Sequence, residues 1–245
     1  GGGRVVEVRG RGMLIGVVLK GVDAGEVVVQ ALKDVHVGRV PSGSESDRAV
    51  REMNGMLSRN RDAMLALTLI KRFDEYTFNH SVNVSILSLA VAGSLSLPEQ
   101  EQVNIGVAGL LHDVGKTQLA LDLIRKPGTL TVEEFEEIKK HPEEGCAILG
   151  RMTHIQDKAR YMVREHHMRF DRSGYPRPEP EYRTNPYSQV IAVADCYDAL
   201  TTMRSYQRAR TPQQALEIMR KLAGKSIDPD LVMLLEQSLG IFPMG

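Results

Sequence analysis

Histidine and aspartate side chains along the chain are of the types that a dinuclear metal centre uses as ligands. Neutral imidazole suits first-row transition metals, and mixed nitrogen and oxygen ligation points away from calcium or magnesium. Asp113 is the natural bridging carboxylate, because each of its two oxygens can bind one ion. Two ions roughly 3.5–4 Å apart would clamp the attacking and leaving oxygens of a phosphoryl displacement. Five of the seven histidines and two aspartates form this candidate set: His80, His112, Asp113, His141, His166, His167 and Asp195.

The elements that must position these side chains are predicted to be helices. Residues 1–46 alternate β-branched residues with Gly turns and end in a Ser/Gly-rich linker, which predicts a small β-containing N-terminal segment. Residues 47–245 form the main domain, and helical periodicity there makes the fold mainly α. Residues 168–186 hold four prolines and follow the histidine pair, as an active-site loop would. Helices are predicted over residues 47–73, 74–93, 98–113, 157–167, 187–203, 212–222 and 229–239, with further starts at a Thr131 capping box and at His141-Pro142.

Charge and composition narrow the class of partner. Lys plus Arg and Asp plus Glu both total 31, so no global field favours a nucleic-acid polymer or an anionic membrane. No apolar run is long enough to predict membrane insertion. The two cysteines, Cys146 and Cys196, indicate a protein without disulfides in a reducing compartment, and we expect a cytoplasmic location.

Ordered motifs extend the pattern beyond single ligands. They are His112-Asp113-Val114-Gly115-Lys116, His141-Pro142-Glu143-Glu144-Gly145, His166-His167 through to Gly174-Tyr175-Pro176, and Ala194-Asp195-Cys196-Tyr197-Asp198. With these motifs the chain resembles the HD-GYP family, the bacterial branch of the HD metal-dependent phosphohydrolases, over about residues 47–240. The resemblance implies the HD-superfamily helical bundle. Residues 1–40 are weakly similar to a strand segment of class III aminotransferases, to which we assign no pyridoxal chemistry.

The resemblance also implies cofactors and a reaction. Two divalent transition-metal ions are expected, with iron or manganese favoured and nickel or zinc also suited. A metal-bridging hydroxide would hydrolyse cyclic di-GMP to linear pGpG and onward to GMP, with Lys116 touching the phosphate or the water. Tyr175 is implied to contact substrate or to hold its loop. One ion would be held by His80, His112, Asp113 and Asp195, and the other by Asp113, His141, His166 and His167.

Several positions depart from the family pattern. Tyr76 stands where some members have a third-metal glutamate, and Glu75 would point about 100° further round the helix, so two metals are predicted. Met168 and Arg172 replace a usual glutamate and a usual glycine. After Asp195, Arg204 and Arg208 are candidate substrate contacts, whereas Gln207 stands where the family commonly has a basic residue.

These departures leave alternatives open. The chain could be a catalytically silent cyclic-dinucleotide sensor or protein-interaction module, or a phosphodiesterase for another cyclic dinucleotide such as cyclic GMP-AMP. Expected partners are a diguanylate cyclase or a sensor or receiver domain. The methionines around Met53 indicate either ordinary packing in the hydrophobic core of one chain or the interface of a homodimer. Asp171 and Asp198 are candidates to orient ligands by hydrogen bonds.

Overall fold

Helices are the regular elements of the described chain. The computed structural model describes residues 42–68, 76–124, 126, 128–202 and 209–240, and within these ranges it contains no β-strand. The mainly α prediction is confirmed, and the β-containing segment predicted before residue 42 lies outside the described residues. The α-helices are α1 (Gly43–Arg59), α2 (Arg61–Thr68), α3 (Tyr76–Ser94), α4 (Glu99–Leu111), α5 (Leu121–Ile124), α6 (Val132–Ile138), α7 (His141–Leu149), α8 (Asp157–Glu165), α9 (Ser188–Thr201), α10 (Pro212–Leu222) and α11 (Pro229–Ser238), with a 3-10 helix over Val114–Gln118.

The first predicted helix is divided in two. α1 begins with a capping box, in which the Ser42 side chain accepts from the backbone N–H of Glu45 and the Glu45 side chain accepts from that of Ser42. The prediction of one helix over residues 47–73 is wrong, because Asn60 leaves the helical region at φ −152° and ψ 76° and α2 starts after it. Residues 69–73 lie outside the described part.

The core is built around α3 and α4. Almost every residue over 80–92 in α3 and 103–111 in α4 is buried, which is the pattern of a helix surrounded by others rather than one lying on a surface. α3 packs against α1, α2, α4, α9 and α11. Met53 and Met64 are buried within this core, so the ordinary-core interpretation holds for them.

Helix ends carry several of the candidate ligands. His112 directly follows α4, His141 is the first residue of α7, and His166 follows α8. His80 and Asp195 instead lie inside α3 and α9. The core helices therefore bring side chains that are up to 115 residues apart in sequence to one end of the bundle.

The segment between α8 and α9 is irregular, as predicted. It is fastened to the rest of the chain by backbone hydrogen bonds from Phe170 to Ser226 and from Asp171 to Lys225. Arg172 has a left-handed backbone at φ 65°, a conformation that glycine adopts more readily. Its guanidinium donates to the carbonyl oxygens of Glu179 and Tyr182, which ties two parts of the segment together.

None of the helices in the described part of the chain has the length and apolarity that a membrane span requires.

Candidate metal centre

The first group of candidate ligands surrounds one oxygen of Asp113. Oδ2 of Asp113 lies 3.4 Å from Nε2 of His112 and 4.0 Å from Nε2 of His80. The same Nε2 of His80 lies 3.2 Å from Oδ1 of Asp195. One ligand atom each from His80, His112 and Asp113 falls within 4.8 Å of the others, which is the spacing of groups that can share an ion.

The second group lies on the other side of the same carboxylate. Oδ1 of Asp113 is 3.3 Å from Nε2 of His141, which in turn is 3.3 Å from Nε2 of His166. The rings of His166 and His167 are 4.1 Å apart, and ligand atoms of the three histidines lie within 4.8 Å of one another. The structure thus brings together the whole set that the sequence indicated, with Asp113 between the two groups.

Hydrogen bonds at Nδ1 fix which nitrogen faces the centre in four of the candidate histidines. Three of the rings donate from Nδ1 to a backbone carbonyl three residues earlier, and His80 donates from Nδ1 to Oδ2 of Asp198 at 2.8 Å. A neutral imidazole that donates at Nδ1 has its lone pair on Nε2, ready to bind a cation. The backbone bonds run from His112 to Gly109 (2.8 Å), from His141 to Ile138 (2.7 Å) and from His166 to Val163 (2.6 Å).

Burial and charge set the protonation of the group around His167. Burial lowers the pKa of His167 to about 4, and burial together with the adjacent His167 places the pKa of His166 well below its usual value. Burial alone would raise the pKa of Asp113, but the positive charge of Lys116 and the neighbouring His112 outweigh it and hold that pKa well below its usual value. At neutral pH His166 and His167 are therefore neutral and Asp113 is ionised, the forms that bind metal.

The protonation of His80 is governed by its acidic neighbours. Burial lowers its pKa, but hydrogen bonds to Asp195 and Asp198 outweigh burial and raise the pKa to about 9. Burial also raises the pKa of Asp195, and the hydrogen bond and charge of His80 more than reverse this, so the carboxyl is ionised. A cation bound between these groups would replace the proton on Nε2 of His80.

Two buried atoms test whether a metal fits here. Among the described residues, Nε2 of His112 and Oδ1 of Asp113 are buried and have no hydrogen-bond partner. Buried polar atoms without partners are few in native proteins and require an explanation. Nε2 of His112 lies 3.4 Å from Oδ2 of Asp113, and Oδ1 of Asp113 lies 3.3 Å from Nε2 of His141. Both are atoms that a divalent transition metal accepts as ligands. The residues present therefore fit a metal.

Asp198 supports the centre from behind His80. It is fully buried, and besides His80 it accepts from Nδ2 of Asn83 at 2.8 Å and from Oγ1 of Thr202 at 3.2 Å. Asp171, the other candidate for such a role, is exposed and accepts from the backbone and side chain of Ser173. Of the two, Asp198 has the geometry of an orienting residue.

Of the remaining predicted site residues, Lys116 and Tyr175 lie in the described part of the chain and Arg204 and Arg208 do not. Nζ of Lys116 lies 2.5 Å from Oδ2 of Asp113, and its side chain is about one-third exposed. The ring of Tyr175 packs against that of His167 at 4.7 Å. The predicted contacts Arg204 and Arg208, and with them Gln207, Glu75 and the side chain of Tyr76, lie outside the described residues.

Glu165, which directly precedes His166 in sequence, is a further buried residue that the sequence pattern did not single out. It is buried, and its carboxylate accepts from the Tyr182 hydroxyl (2.6 Å), the Asn185 backbone (2.7 Å) and the Ser188 hydroxyl (2.6 Å). These bonds fix the segment before α9 to the end of α8. The available signal was an acidic residue three positions after Met162, on the buried face of α8.

Comparison with known proteins identifies the family. A model described as HD domain matches residues 54–231, which is more than half of the chain. The chain belongs to the HD domain family. The HD-GYP resemblance is confirmed by two relatives of this HD domain. The cyclic di-GMP phosphodiesterase PA4108 of Pseudomonas aeruginosa is 32% identical over 91% of this chain and 53% of its own length. The 3'3'-cGAMP-specific phosphodiesterase 3 of Vibrio cholerae is 30% identical over 69% of this chain and 36% of its own length.

Structural comparison supports the same fold. The structure of Bd1817, an HDG"Y"P protein from Bdellovibrio bacteriovorus, superposes with a TM-score of 0.71 at 19% identity, covering 89% of this chain and 70% of that one. At this identity the likeness shows the helical fold. The HD domain described here spans about half or less of the length of the two phosphodiesterases named above.

Proposed function

We propose that this HD domain is a metal-dependent phosphodiesterase that hydrolyses a cyclic dinucleotide, with cyclic di-GMP as its first candidate substrate. The observation that carries the proposal is Asp113, whose two buried oxygens face separate groups of histidines. A carboxylate shared in this way is the arrangement that a two-metal phosphoryl-transfer centre needs. The names of the relatives support the choice of substrate class.

We assign the ligands as two overlapping sets. His80, His112, Asp113 and Asp195 would hold one ion, and Asp113, His141, His166 and His167 the other. When bound, divalent cations supply Lewis acidity, which lowers the pKa of water and neutralises charge on a phosphate. Iron or manganese is proposed for both positions, since imidazole and carboxylate ligands suit either.

The residues of the chain contribute orientation and charge. The Nδ1 hydrogen bonds orient the imidazoles of His80, His112, His141 and His166, so that Nε2 of each ring faces the centre. Lys116 is fixed by Asp113 yet remains partly exposed, so its ammonium can donate to a phosphate oxygen and stabilise charge that develops there. Tyr175 packs against His167, with ring centroids 4.7 Å apart, so its ring lies beside this part of the centre.

The proposed reaction is the hydrolysis of one phosphodiester bond of the cyclic dinucleotide. A water oxygen forms a bond to phosphorus, the bond from phosphorus to the ribose 3′ oxygen breaks, and one proton of the water ends on that oxygen. Cyclic di-GMP would give linear pGpG, and a second hydrolysis would give GMP.

A second substrate is supported by one observation. The relative from Vibrio cholerae is named as specific for 3'3'-cGAMP and is nearly as similar in identity to this chain as the cyclic di-GMP enzyme. Cyclic GMP-AMP is therefore the second candidate.

The assembly around the domain is also a proposal. We propose residues 47–245 as the catalytic domain, preceded by a separate small segment. A sensor or receiver domain and a diguanylate cyclase are the partners that the family resemblance implies, and a homodimer is the assembly proposed.

The test is a competition among cyclic di-GMP, cyclic GMP-AMP and cyclic di-AMP, using protein loaded anaerobically with iron or manganese. We expect turnover of cyclic di-GMP or cyclic GMP-AMP, and loss of turnover in Asp113→Ala. Tight binding of a cyclic dinucleotide without hydrolysis, with metal bound, would instead show a silent sensor and contradict the proposal.

A further inference from the structure

An exposed aromatic side chain lies beside the candidate centre. Phe135 is 43% exposed and belongs to α6, a helix that has no buried residue. An exposed phenylalanine is by itself ordinary, because much of any protein surface is apolar. Its neighbours are what distinguish this one.

Aromatic rings connect Phe135 to the predicted ligands. The ring of Phe135 meets the ring of Tyr175 edge to face at 6.3 Å, and Tyr175 in turn lies 4.7 Å from His167 and 6.3 Å from His141. A nucleoside holds its base one sugar away from its phosphate. A base whose phosphate sits at the centre must therefore meet the protein beside the ligands, which is where these two rings lie.

The position of Phe135 is held by its own helix. The Thr131 capping box starts α6, and the Glu134 carboxylate of that box also accepts from Nζ of Lys126 at 2.6 Å. Nζ of Lys139 lies 4.8 Å from the centre of the Phe135 ring and adds positive charge on the same side. An ordered ring with a cation next to it suits a planar base carried by an anionic backbone.

We propose that Phe135 and Tyr175 form a stacking wall for one purine base of the cyclic dinucleotide. The base lies face to face on Phe135 and edge-on to Tyr175, because the two ring planes are 82° apart. This inference rests on the proposed function and adds a residue that determines substrate affinity. Stacking of a base on an aromatic side chain is a substantial and sequence-tolerant contribution to binding. Removing one ring of the wall weakens binding of the substrate without changing the chemistry at phosphorus.

Kinetic analysis of three variants tests the role. Phe135→Ala is expected to raise the KM for cyclic di-GMP by about 10-fold and to leave kcat within about 2-fold, because stacking acts on binding. Phe135→Tyr retains the ring and is expected to behave like the parent protein. The matched control is Tyr161→Ala. Tyr161 is 40% exposed on α8 and has the guanidinium of Arg160 over its ring at 4.9 Å, but among the described residues its ring contacts no other aromatic.

A fluorescence experiment separates this inference from the proposed function. The chain contains no tryptophan, so Phe135→Trp introduces a single reporter. Rapid mixing of the metal-loaded variant with cyclic di-GMP is expected to quench the fluorescence before turnover, whereas Tyr161→Trp is expected to stay unchanged.

Each outcome decides one claim. Turnover without quenching, together with an unchanged KM in Phe135→Ala, would overturn the stacking wall and leave the phosphodiesterase proposal standing. Quenching without turnover would contradict the phosphodiesterase proposal and support a binding site at this wall. Absence of both would overturn both.

Discussion

At the scale of single residues, hydrogen bonds on the outer side of the imidazoles govern how they face the centre. His80 differs from His112, His141 and His166, because its Nδ1 partner is a side chain, Asp198, rather than a backbone carbonyl. A side-chain partner can be changed without altering the backbone, so its contribution to the centre can be measured.

Asp198→Asn is expected to lower metal affinity by roughly 10–100-fold while the protein stays folded, because an amide is a weaker acceptor for the Nδ1–H of His80. Isothermal titration calorimetry of the metal-free protein with manganese measures the change in metal affinity. Asp171→Asn is the control, since Asp171 is exposed and bonds to Ser173. Equal affinity in the two variants would contradict the orienting role of Asp198.

The candidate ligands and one support, Asp198, could be identified from sequence, whereas the contacts that hold the supports in place could not, for a physical reason. His112 and Asp113 are adjacent, and short motifs of this kind are visible in one sequence. Glu165 bonds to residues 17 to 23 positions away, and Asn83 reaches Asp198 across 115 positions. Such contacts depend on how helices pack, which local periodicity does not encode.

At the scale of elements, the 3-10 helix and α7 approach each other closely enough to control the distance across the centre. A Cβ atom on Gly115 would lie 1.9 Å from the carbonyl oxygen of His141 and 2.5 Å from the backbone nitrogen of Gly145. Neither backbone atom can move without shifting α7. Gly115 therefore sets the separation between Asp113 and His141.

Gly115→Ala is expected to destabilise the protein by about 1–3 kcal/mol, because the added methyl overpacks this contact. It is also expected to reduce the amount of bound metal. Denaturant unfolding and metal analysis of the same samples check both effects. Gly93→Ala is the control, since a Cβ there meets nothing within 4 Å and alanine in a helix is expected to be neutral or stabilising by about 0.5–1 kcal/mol. Similar behaviour of the two variants would refute the role of the close approach.

Hydrogen bonds accepted by Glu165 connect the end of α8 to the start of α9. Glu165→Ala removes a buried acceptor of three hydrogen bonds, and we expect a loss of roughly 2–3 kcal/mol in the free energy of unfolding. Urea denaturation followed by circular dichroism measures it. Glu143→Ala, which removes an exposed pair with Arg164, is expected to cost less than about 1 kcal/mol. A loss no larger than that of the control would mean that Glu165 does not anchor the segment.

Helix starts were easier to predict than a helix interruption. α10 was predicted with the observed bounds, because Thr211 forms a capping box and proline occupies the first turn. The break at Asn60 was not predicted, since apolar residues continue at helical spacing on both sides of it. The apolar pattern reports which face is buried, and it does not report a change of helix direction.

At the scale of the whole molecule, the centre joins α3, the end of α4, α7, α8 and α9, so metal binding is expected to stabilise the fold. Carboxylates of like charge and buried ligand atoms without hydrogen-bond partners lower the stability of the metal-free protein. A bound cation removes this cost. A free metal concentration of about 100 times the dissociation constant stabilises the folded protein by about 2.7 kcal/mol. We therefore expect manganese to raise the Tm by roughly 5–10 °C.

Differential scanning calorimetry with and without metal checks this expectation. Calcium is the control cation, because it prefers all-oxygen sites, and it is expected to change the Tm little. Asp113→Ala is expected to lose the increase with manganese. An equal increase from both cations would argue against the nitrogen-rich centre.

The measurement that tests the central claim most directly combines metal analysis and turnover in one anaerobic sample. The protein loaded with iron or manganese is expected to hold two ions per chain and to convert a cyclic dinucleotide to its linear product, and Asp113→Ala is expected to do neither. A protein that holds both ions and leaves cyclic di-GMP and cyclic GMP-AMP intact would contradict the account.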